Sequence, residues 1–354
     1  MNLPFSPHLP TDRLGASFSK KVSTYKFYWL LAIIESVEEG EVAIEKKILF
    51  SRMITNAWYT VNYFHVSFGK QDLIQQAVYD ILKIEKLSID VKKKDLLEIL
   101  QQSDKTETKQ CLRHFNKNVP HWFLSPWFPR MRVNDSDTDY KKQIYSSSQF
   151  FANDCLYALH EDFISINPAW ISYITSNAKI LKDFCYWNLC LFLQARNPNV
   201  PDIPNKLIKP PFRSSLTNQR NNYWNIVFKE LGFIDCIFTG NKLVVDNFAL
   251  DHFIPHAFVS HNLIWNLIPI DKSFNSVKSD KLPSMERHFD KFFDLQKNAF
   301  EIVKFHSPKS KLLEEYLTIF PVLEEAEDFE YGRFRDSVGA LVSIGGNNGF
   351  GRMR

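Results

Sequence analysis

Residues 250–283 constrain the fold of this chain more than any other segment. Two short β-rich runs, 250–254 and 267–270, are separated by a loop and followed by a polar stretch. Pro255 closes the first run, because proline lacks the N–H that the interior of a strand donates. Ser273 is of a residue type that caps helices, so a helix is expected to begin beside it. The segment therefore predicts two strands and a helix in close succession.

A hairpin is expected immediately before this segment. Residues 233–238 and 242–245 are rich in β-forming residues, and Thr239, Gly240 and Asn241 lie between them. Gly and Asn adopt the backbone conformations that tight hairpin turns require. We expect this hairpin to support the two strands and the helix that follow it.

Four polar residues occupy distinct places in the predicted unit. Asp251 and His252 lie in the first strand, Asn266 in the loop and Asn275 in the helix. Hydrolysis of a phosphodiester needs a base that deprotonates water and a cation that neutralises the phosphate. His252 suits the base, because an imidazole titrates near neutral pH. Asp251 and Asn275 offer the oxygen ligands that Mg²⁺ or Mn²⁺ prefers, with one ion per site, and Asn266 is expected to hold the loop and orient the imidazole.

These residues resemble the HNH, or His-Me finger, nuclease domain, in the variant that has Asn at the third position of its motif. The HNH domain of RNA-guided CRISPR nucleases shows the patterns Asp-His-Ile-Val-Pro and Asn-x-x-Lys-Ser-Asp-x-x-Pro. Residues 251–255 and 275–283 are similar to these patterns. The resemblance implies an endonuclease. It implies that Asp251 and Asn275 are metal ligands, that His252 is the general base and that Asn266 braces the loop.

Lys278 also matches the pattern, and two roles stay open for it. Its ammonium group could stabilise negative charge near the scissile phosphate, or it could form a structural salt link. The resemblance covers about residues 230–290, and the remainder is similar to stand-alone bacterial HNH endonucleases through segments such as 119–128. Zinc-stapled HNH proteins carry Cys-x-x-Cys pairs, which this sequence lacks. Packing against neighbouring helices, with Phe289 and Phe292 as candidates, must then hold the unit.

The chain of 354 residues is long enough for several folding units. The expected fold is mainly α with a small ββα-metal nuclease module, and α+β overall. The clearest change in composition lies in a segment rich in proline and basic residues. The predicted regions are a helical recognition or regulatory region at 1–195, a connection at 196–229, the nuclease domain at 230–290, and a helical extension with a flexible tail at 291–354.

The predicted connection is locally basic. It contains Lys206, Lys209, Arg213 and Arg220. A basic segment beside a nuclease site would grip phosphates and make binding sensitive to salt. Charges scattered along a solvated linker would give the same pattern. Both interpretations stay open, since a net charge of only +3 gives no overall positive field.

Two N-terminal segments allow a role in nucleic-acid binding beside a structural one. Ser23 or Thr24 can cap a helix that ends at Gly40, and a strand at 42–45 and a second helix follow. This order occurs in winged-helix elements and, more often, in ordinary scaffolds. Residues 119–130 combine three prolines with four aromatic side chains, which favours an extended segment. It could stack bases with Arg130 and Arg132 nearby, although a segment lining the core is the interpretation we favour.

Two further expectations concern packing. Residues 168–194 predict an aromatic-rich helix whose core side chains are expected to be Trp170, Tyr173, Ile180, Phe184, Trp187 and Phe192. The glycine-rich residues 345–351 have no strand before them and no Lys-Ser or Lys-Thr after them, so they do not form a phosphate loop. We expect them to form a flexible end.

The rest of the composition bounds the class of protein. Five cysteines without a Cys-x-x-Cys pair argue against a disulfide framework and a thiolate zinc site, and they fit a reducing cytoplasm. No apolar run approaches the length of a membrane span, so no membrane partner is expected. We expect an active endonuclease of restriction or anti-phage defence type acting on double-stranded DNA, as a homodimer or with a defence-system partner protein. The alternative is a nucleic-acid-binding or regulated subunit with little turnover alone.

Overall fold

The structure is a computed structural model that describes residues 3–19, 22–130, 136–208 and 215–353. Two compact units divide the chain. Unit 1 comprises Met1–Pro198 and Ile203–Lys209, and unit 2 comprises Asn199–Asp202 and Pro210–Arg354. The chain therefore passes from one unit to the other within residues 196–229, the predicted connection.

Unit 1 is built from helices and one small sheet. Its described part contains the helices α1 (Thr11–Ala16), α2 (Tyr25–Glu38), α3 (Lys46–Asn62), α4 (Leu73–Ile84), α5 (Lys93–Gln102), α6 (Thr106–Arg113), α7 (Val119–Phe123), α8 (Asp137–Ser147) and α9 (Pro168–Arg196). The strands are β1 (Ala43–Glu45), β2 (Tyr157–Leu159) and β3 (Phe163–Ile166). Short 3₁₀ helices occur at His114–Lys117, Phe151–Asn153 and Ile203–Lys206.

Helix α2 forms the centre of unit 1. It packs against α3 and α9, and apolar side chains around its whole circumference are buried, including Tyr28, Trp29 and Ile33. A helix that is apolar on every side belongs in a core. The helix begins after Thr24, and Gly40 follows its end with a φ of +87° that few other residues adopt. Both boundaries agree with the sequence prediction.

The sheet of unit 1 is antiparallel, with strand order β1-β3-β2. Ile44 of β1 and Leu159 of β2 both lie opposite Ile164 of the central strand. Strand β1 leads directly into α3. The predicted order of helix, strand and helix is therefore confirmed, and β3 supplies the pairing partner that the short strand needs.

Two packing expectations for unit 1 are wrong. Residues 119–130 are not extended, because Pro120 occupies the first turn of the short helix α7, where no N–H donor is needed. Ile180 and Trp187 are not core residues: they are 46% and 49% exposed on α9. They are seven residues apart, or about two helical turns, so they share one face of the helix. That face is open to solvent.

Unit 2 combines two hairpins with helices. Its described part contains the helices α10 (Thr217–Gln219), α11 (Asn225–Leu231), α12 (His256–Val259), α13 (Lys272–Lys278), α14 (Met285–His306), α15 (Lys311–Glu314) and α16 (Tyr331–Asn347), with a π-helical turn at Arg220–Trp224. The strands are β4 (Ile234–Asp235), β5 (Lys242–Leu243), β6 (Ala249–His252) and β7 (Leu267–Ile270). Short 3₁₀ helices occur at Ile264–Asn266, Glu315–Thr318 and Ala326–Asp328.

An aromatic cluster forms the core of unit 2. Phe292 of α14 stacks on Phe253, with the ring centroids 3.8 Å apart. Phe334 of α16 stacks on Phe292 at 5.2 Å, and Phe289 is fully buried beside it. Stacked aromatic pairs stabilise beyond the area that they bury. Because Phe253 follows β6 directly, this cluster fixes the end of the strand that carries His252.

The glycine-rich C-terminal segment is ordered, which corrects the expectation of a flexible end. Helix α16 continues to Asn347, and Gly345 is buried against Leu282. A Cβ atom at position 345 would lie 3.0 Å from Leu282 Cδ2, so the leucine side chain would have to shift by a few tenths of an ångström. Arg352 then pairs with Leu282 in a parallel bridge. Glycine at 345 therefore lets the helix lie close to the segment after α13.

The class of fold is confirmed, since helices dominate and the sheets are small and antiparallel. Across the described ranges, no helix is long and apolar enough to span a membrane. In unit 2, strands β6 and β7 and helix α13 follow one another in the predicted order. Their arrangement positions the site.

Candidate active site

The hairpin before the site forms as predicted, with shorter strands. Ile234 of β4 lies opposite Leu243 of β5, and Gly240 in the turn has a φ of +75°. Asn241 Nδ2 donates to Asp271 Oδ2 at 2.7 Å. Asp271 is also the N-cap of α13, which corrects the assignment of that cap to Ser273: the carboxylate accepts the Ser273 N–H at 2.8 Å. The hairpin thus holds the start of the helix that carries Asn275.

Strands β6 and β7 place Asp251 and His252 on opposite faces of a two-stranded sheet. Asp251 lies opposite Ile268 and His252 opposite Leu267. Successive side chains of a strand point to opposite faces, and here the imidazole is buried while the carboxylate keeps partial contact with solvent. The predicted strand reached residue 254, but β6 ends at His252.

The His252 ring is held by a residue that the sequence motif did not mark. Its Nε2 donates to Asn262 Oδ1 at 2.9 Å. With the amide oxygen as acceptor, the proton lies on Nε2 and the lone pair on Nδ1. Nδ1 lies 4.0 Å from Asp251 Oδ1, so the basic nitrogen points towards the carboxylate.

The environment keeps His252 neutral at physiological pH. Burial, and next the neighbouring His256, lower the pKa of His252 to about 4. The Asp251 carboxylate and the bond to Asn262 act in the opposite direction. The two imidazole centroids are 5.1 Å apart. Since the folded pKa lies well below 7, the ring carries a free lone pair with which to accept a proton.

Lys278 forms the salt link that was one of its two predicted roles. Its Nζ donates to Asp251 Oδ2 at 2.8 Å, and its side chain is inaccessible to solvent. Helix α13 packs against β6, which brings the two groups together. The ammonium therefore holds one carboxylate oxygen in place, and it acts on the site through Asp251.

The side chains proposed to hold a metal ion offer a suitable set of donors. Asn275 lies one helical turn before Lys278 on α13, hence on the same face, and it is half-buried. Within the described ranges, no residue forms a hydrogen bond with its side-chain amide. Asp251 adds a carboxylate. Within the same ranges, no three His, Cys, Asp or Glu side chains cluster in a way that could hold a metal ion. A carboxylate and an amide oxygen fit a hard cation such as Mg²⁺, whose other positions go to water and phosphate.

Asn266 makes the contacts of a loop brace. It is fully buried, its Oδ1 accepts the Ile254 N–H at 2.8 Å and its Nδ2 donates to the Ile254 carbonyl at 2.9 Å. Its own carbonyl accepts the Phe253 N–H at 2.7 Å. Asn266 therefore closes the loop between β6 and β7, while the orientation of the imidazole falls to Asn262.

Two of the four basic residues of the predicted connection, Lys206 and Arg220, lie within the described residues. Lys206 is completely buried in unit 1, with its ammonium 5.9 Å from the Phe64 ring, so it offers no contact to a phosphate. Arg220 lies in unit 2 with its guanidinium 4.0 Å from the Phe248 ring. Lys209 and Arg213 lie outside the described residues, as does Arg132 of the earlier aromatic segment.

A buried polar network supports the site from distant parts of unit 2. Tyr223 and Tyr316 share a hydrogen bond at 2.7 Å, and Tyr316 donates to Gln296. Gln296 in turn donates to the carbonyl of Leu267, the residue opposite His252, at 2.9 Å. Glu315 accepts the N–H of Ile264 at 2.6 Å. No spacing in the sequence marks these residues, because they lie 29 and 51 positions from the groups that they bind.

Comparison with known families agrees with the motif. Residues 236–284 match the family model described as HNH endonuclease. The chain therefore contains an HNH-family domain, which indicates a nuclease activity on nucleic acid. HNH endonucleases generally use divalent metal ions. No curated protein and no solved structure matches the chain.

Proposed function

We propose that the chain is a metal-dependent DNA endonuclease in which His252 is the general base. One observation carries the proposal. The neutral imidazole of His252 is fixed through Nε2 by Asn262, and its Nδ1 points towards the Asp251 carboxylate, which is partly open to solvent. A fixed, unprotonated imidazole beside an oxygen ligand is what activation of water at a phosphodiester requires. The β6, β7 and α13 segments form the ββα-metal module of this proposal.

The residues divide the reaction among them. A divalent cation held by Asp251 and Asn275 would neutralise charge on the phosphate oxygens. His252 Nδ1 takes a proton from the water whose oxygen attacks phosphorus, the bond from phosphorus to the leaving nucleoside oxygen breaks, and that oxygen takes up a proton from solvent. The imidazolium that forms lies beside the Asp251 carboxylate, which stabilises its charge. Lys278 holds that carboxylate, and Asn262 keeps the reacting nitrogen in place.

Several finer assignments belong to the same proposal. The substrate is double-stranded DNA, and Lys209, Arg213 and Arg220 contribute phosphate contacts that set the salt dependence of binding. One such site cuts one strand, so a double-strand break needs two copies of the chain, which supports a homodimer. A role in restriction or anti-phage defence, with or without a partner protein, fits a nuclease joined to a large helical unit. Asp251, His252 and Asn275 are all intact, which supports an active enzyme over a binding subunit.

Metal dependence is tested by plasmid cleavage together with direct measurement of metal binding. We expect nicking with Mg²⁺ or Mn²⁺, complete inhibition by a chelator, and loss of Mn²⁺ binding by calorimetry in Asp251→Ala and Asn275→Ala. Asp246→Ala is the matched control, because it removes a carboxylate of unit 2 outside the site. Undiminished cleavage in excess chelator, or unchanged Mn²⁺ binding in both site variants, would contradict the proposal.

A further inference from the structure

Unit 1 contains a cavity of about 810 Å³ that the proposed reaction does not use. Among the described residues, its walls come from residues 16–19 and 22–26, residues 71–73, residues 114–130 and Tyr140. Pockets that enclose small ligands measure roughly 300–1,000 Å³. The cavity is therefore large enough for a molecule the size of a nucleotide.

Aromatic side chains form part of the wall. Trp122 of α7 is half-buried, and within the described ranges no residue accepts a hydrogen bond from its indole N–H. The Tyr140 ring lies 5.4 Å from it, and Tyr25 and His114 also line the cavity. Stacking of a nucleobase on an aromatic side chain contributes about 1–3 kcal/mol. The wall therefore suits a flat ring.

The charged side chains of the wall are cations. Arg130 lies with its guanidinium 4.7 Å from the Tyr140 centroid and 5.7 Å from that of Trp122, and Asp137 pairs with it. The Lys26 ammonium donates to the Ser17 carbonyl at 2.9 Å. Among the described residues that line the cavity, none is Asp or Glu. These contacts place two cationic groups at the wall, where an anionic ligand can meet them.

We propose that this cavity binds one nucleotide unit, with the base against Trp122 and the phosphate towards Arg130 and Lys26. A nucleotide carries both groups that the cavity can bind: its base can stack on the aromatic wall while its phosphate contacts the two cations. A free nucleotide and a nucleotide within a single strand share this chemistry. Unit 1 is in either case a recognition unit, and its ligand is distinct from the phosphodiester that unit 2 hydrolyses.

Calorimetry with the full chain tests the proposal, in excess chelator so that hydrolysis plays no part. The probes are the four deoxynucleoside 5′-monophosphates, the matching nucleosides, inorganic phosphate, and a six-nucleotide single strand. We expect at least one monophosphate or the oligonucleotide to bind at least tenfold more tightly than nucleoside or phosphate alone. Binding of a monophosphate identifies the free nucleotide as the ligand, and binding of the oligonucleotide alone identifies a strand.

Matched variants tie that binding to the cavity. Trp122→Ala and Arg130→Gln should each weaken it at least fivefold, and Trp122→Phe should restore part of the affinity, because a phenyl ring still stacks. Trp187→Ala and Lys179→Gln are the controls, since both side chains are exposed on α9 and neither lines the cavity. Circular dichroism checks that each variant is folded. The proposal is overturned if no nucleotide binds better than phosphate, or if folded Trp122→Ala and Arg130→Gln bind as the unmodified chain does.

Discussion

The two units differ in how their candidate sites are assembled from the sequence. In unit 2, the groups assigned to chemistry lie between Asp251 and Lys278, on one strand, the loop after it and the next helix. In unit 1, the cavity draws its walls from stretches that are far apart in sequence, from Ala16 to Tyr140. A site contained in one short segment leaves a readable pattern of residues. A site made by tertiary packing leaves only a partial one: the aromatic residues at 119–130 and Arg130 allowed base stacking, but no spacing in the sequence indicates the other walls of the cavity.

The largest effect on stability is expected from Asn266→Ala. The substitution leaves the N–H and the carbonyl of Ile254 buried without their partner, and each such group costs about 1–3 kcal/mol. We expect unit 2 to lose about 3 kcal/mol of unfolding free energy in a denaturant titration. Asn275→Ala is the control, because its amide is half-exposed, and it should change that free energy by less than about 0.5 kcal/mol. Equal losses in the two variants would show that the loop does not depend on Asn266.

A loss of catalysis without loss of metal binding is expected from Asn262→Ala. Without the acceptor for Nε2–H, the His252 ring can rotate, and the loss of such a supporting partner typically costs about 10–100-fold. Single-turnover cleavage should fall by that factor, while Mn²⁺ binding stays the same. Asn262→Asp, which retains an acceptor, should recover most of the rate. A rate for Asn262→Asp as low as for Asn262→Ala would indicate that Asn262 acts in another way.

A moderate effect is expected from Tyr316→Phe. The hydroxyl links Tyr223 to Gln296, and its removal leaves a buried polar chain incomplete. We expect about 1–2 kcal/mol less stability in unit 2. Hydrogen exchange should also be faster at Leu267, whose carbonyl Gln296 binds. Tyr331→Phe serves as the control, since that hydroxyl is on the surface. Equal losses of stability in the two variants would show that the buried network does not stabilise unit 2.

The smallest effect at neutral pH is expected from His121 in unit 1, and it grows in acid. Burial lowers the pKa of His121 to about 4, below the usual value near 6.5. Between these two values the unfolded chain binds a proton that the folded chain does not. The free energy of unfolding should then fall by about 1.4 kcal/mol per pH unit as the pH drops from 6.5 towards 4. Hydrogen exchange of α7 against pH measures this loss.

His121→Leu should remove that one-proton dependence from unit 1. The slope expected for the variant between pH 6 and 5 is smaller by one proton than that of the unmodified chain. An unchanged slope in His121→Leu would assign the acid sensitivity to other groups.

The sequence predicts those parts of the structure that depend on neighbouring residues. The turn at Gly240, the pairing of β6 with β7 and the boundaries of α2 all follow from local spacing and backbone preference. The expected core positions Ile180 and Trp187 failed, because a pattern of apolar residues does not reveal which helical face meets a partner. The ordered C-terminal segment was missed for a related reason, since glycine at 345 serves contact with Leu282 rather than flexibility.

Within the candidate site too, the sequence predicts what depends on neighbouring residues and misses what depends on tertiary packing. The motif marks Asp251, His252, Asn266 and Asn275, which are close together in sequence. Asn262 was missed because its contact depends on how the loop returns to the imidazole, and no spacing rule specifies that path. The burial of Lys206 was missed as well. A segment rich in proline and lysine resembles a solvated linker in sequence, whether or not its side chains are buried.

Single-turnover cleavage of DNA by His252→Ala is the most direct test of the central claim. Wild type, His252→Ala and the control His306→Gln, which alters a histidine on the surface of unit 2, would be compared with Mn²⁺ binding measured on each. We expect His252→Ala to bind Mn²⁺ as wild type does and to cleave at least 100-fold more slowly, since general-base catalysis contributes about 10²–10⁴-fold. His306→Gln should cleave normally. Cleavage by His252→Ala at the wild-type rate would show that His252 is not the general base.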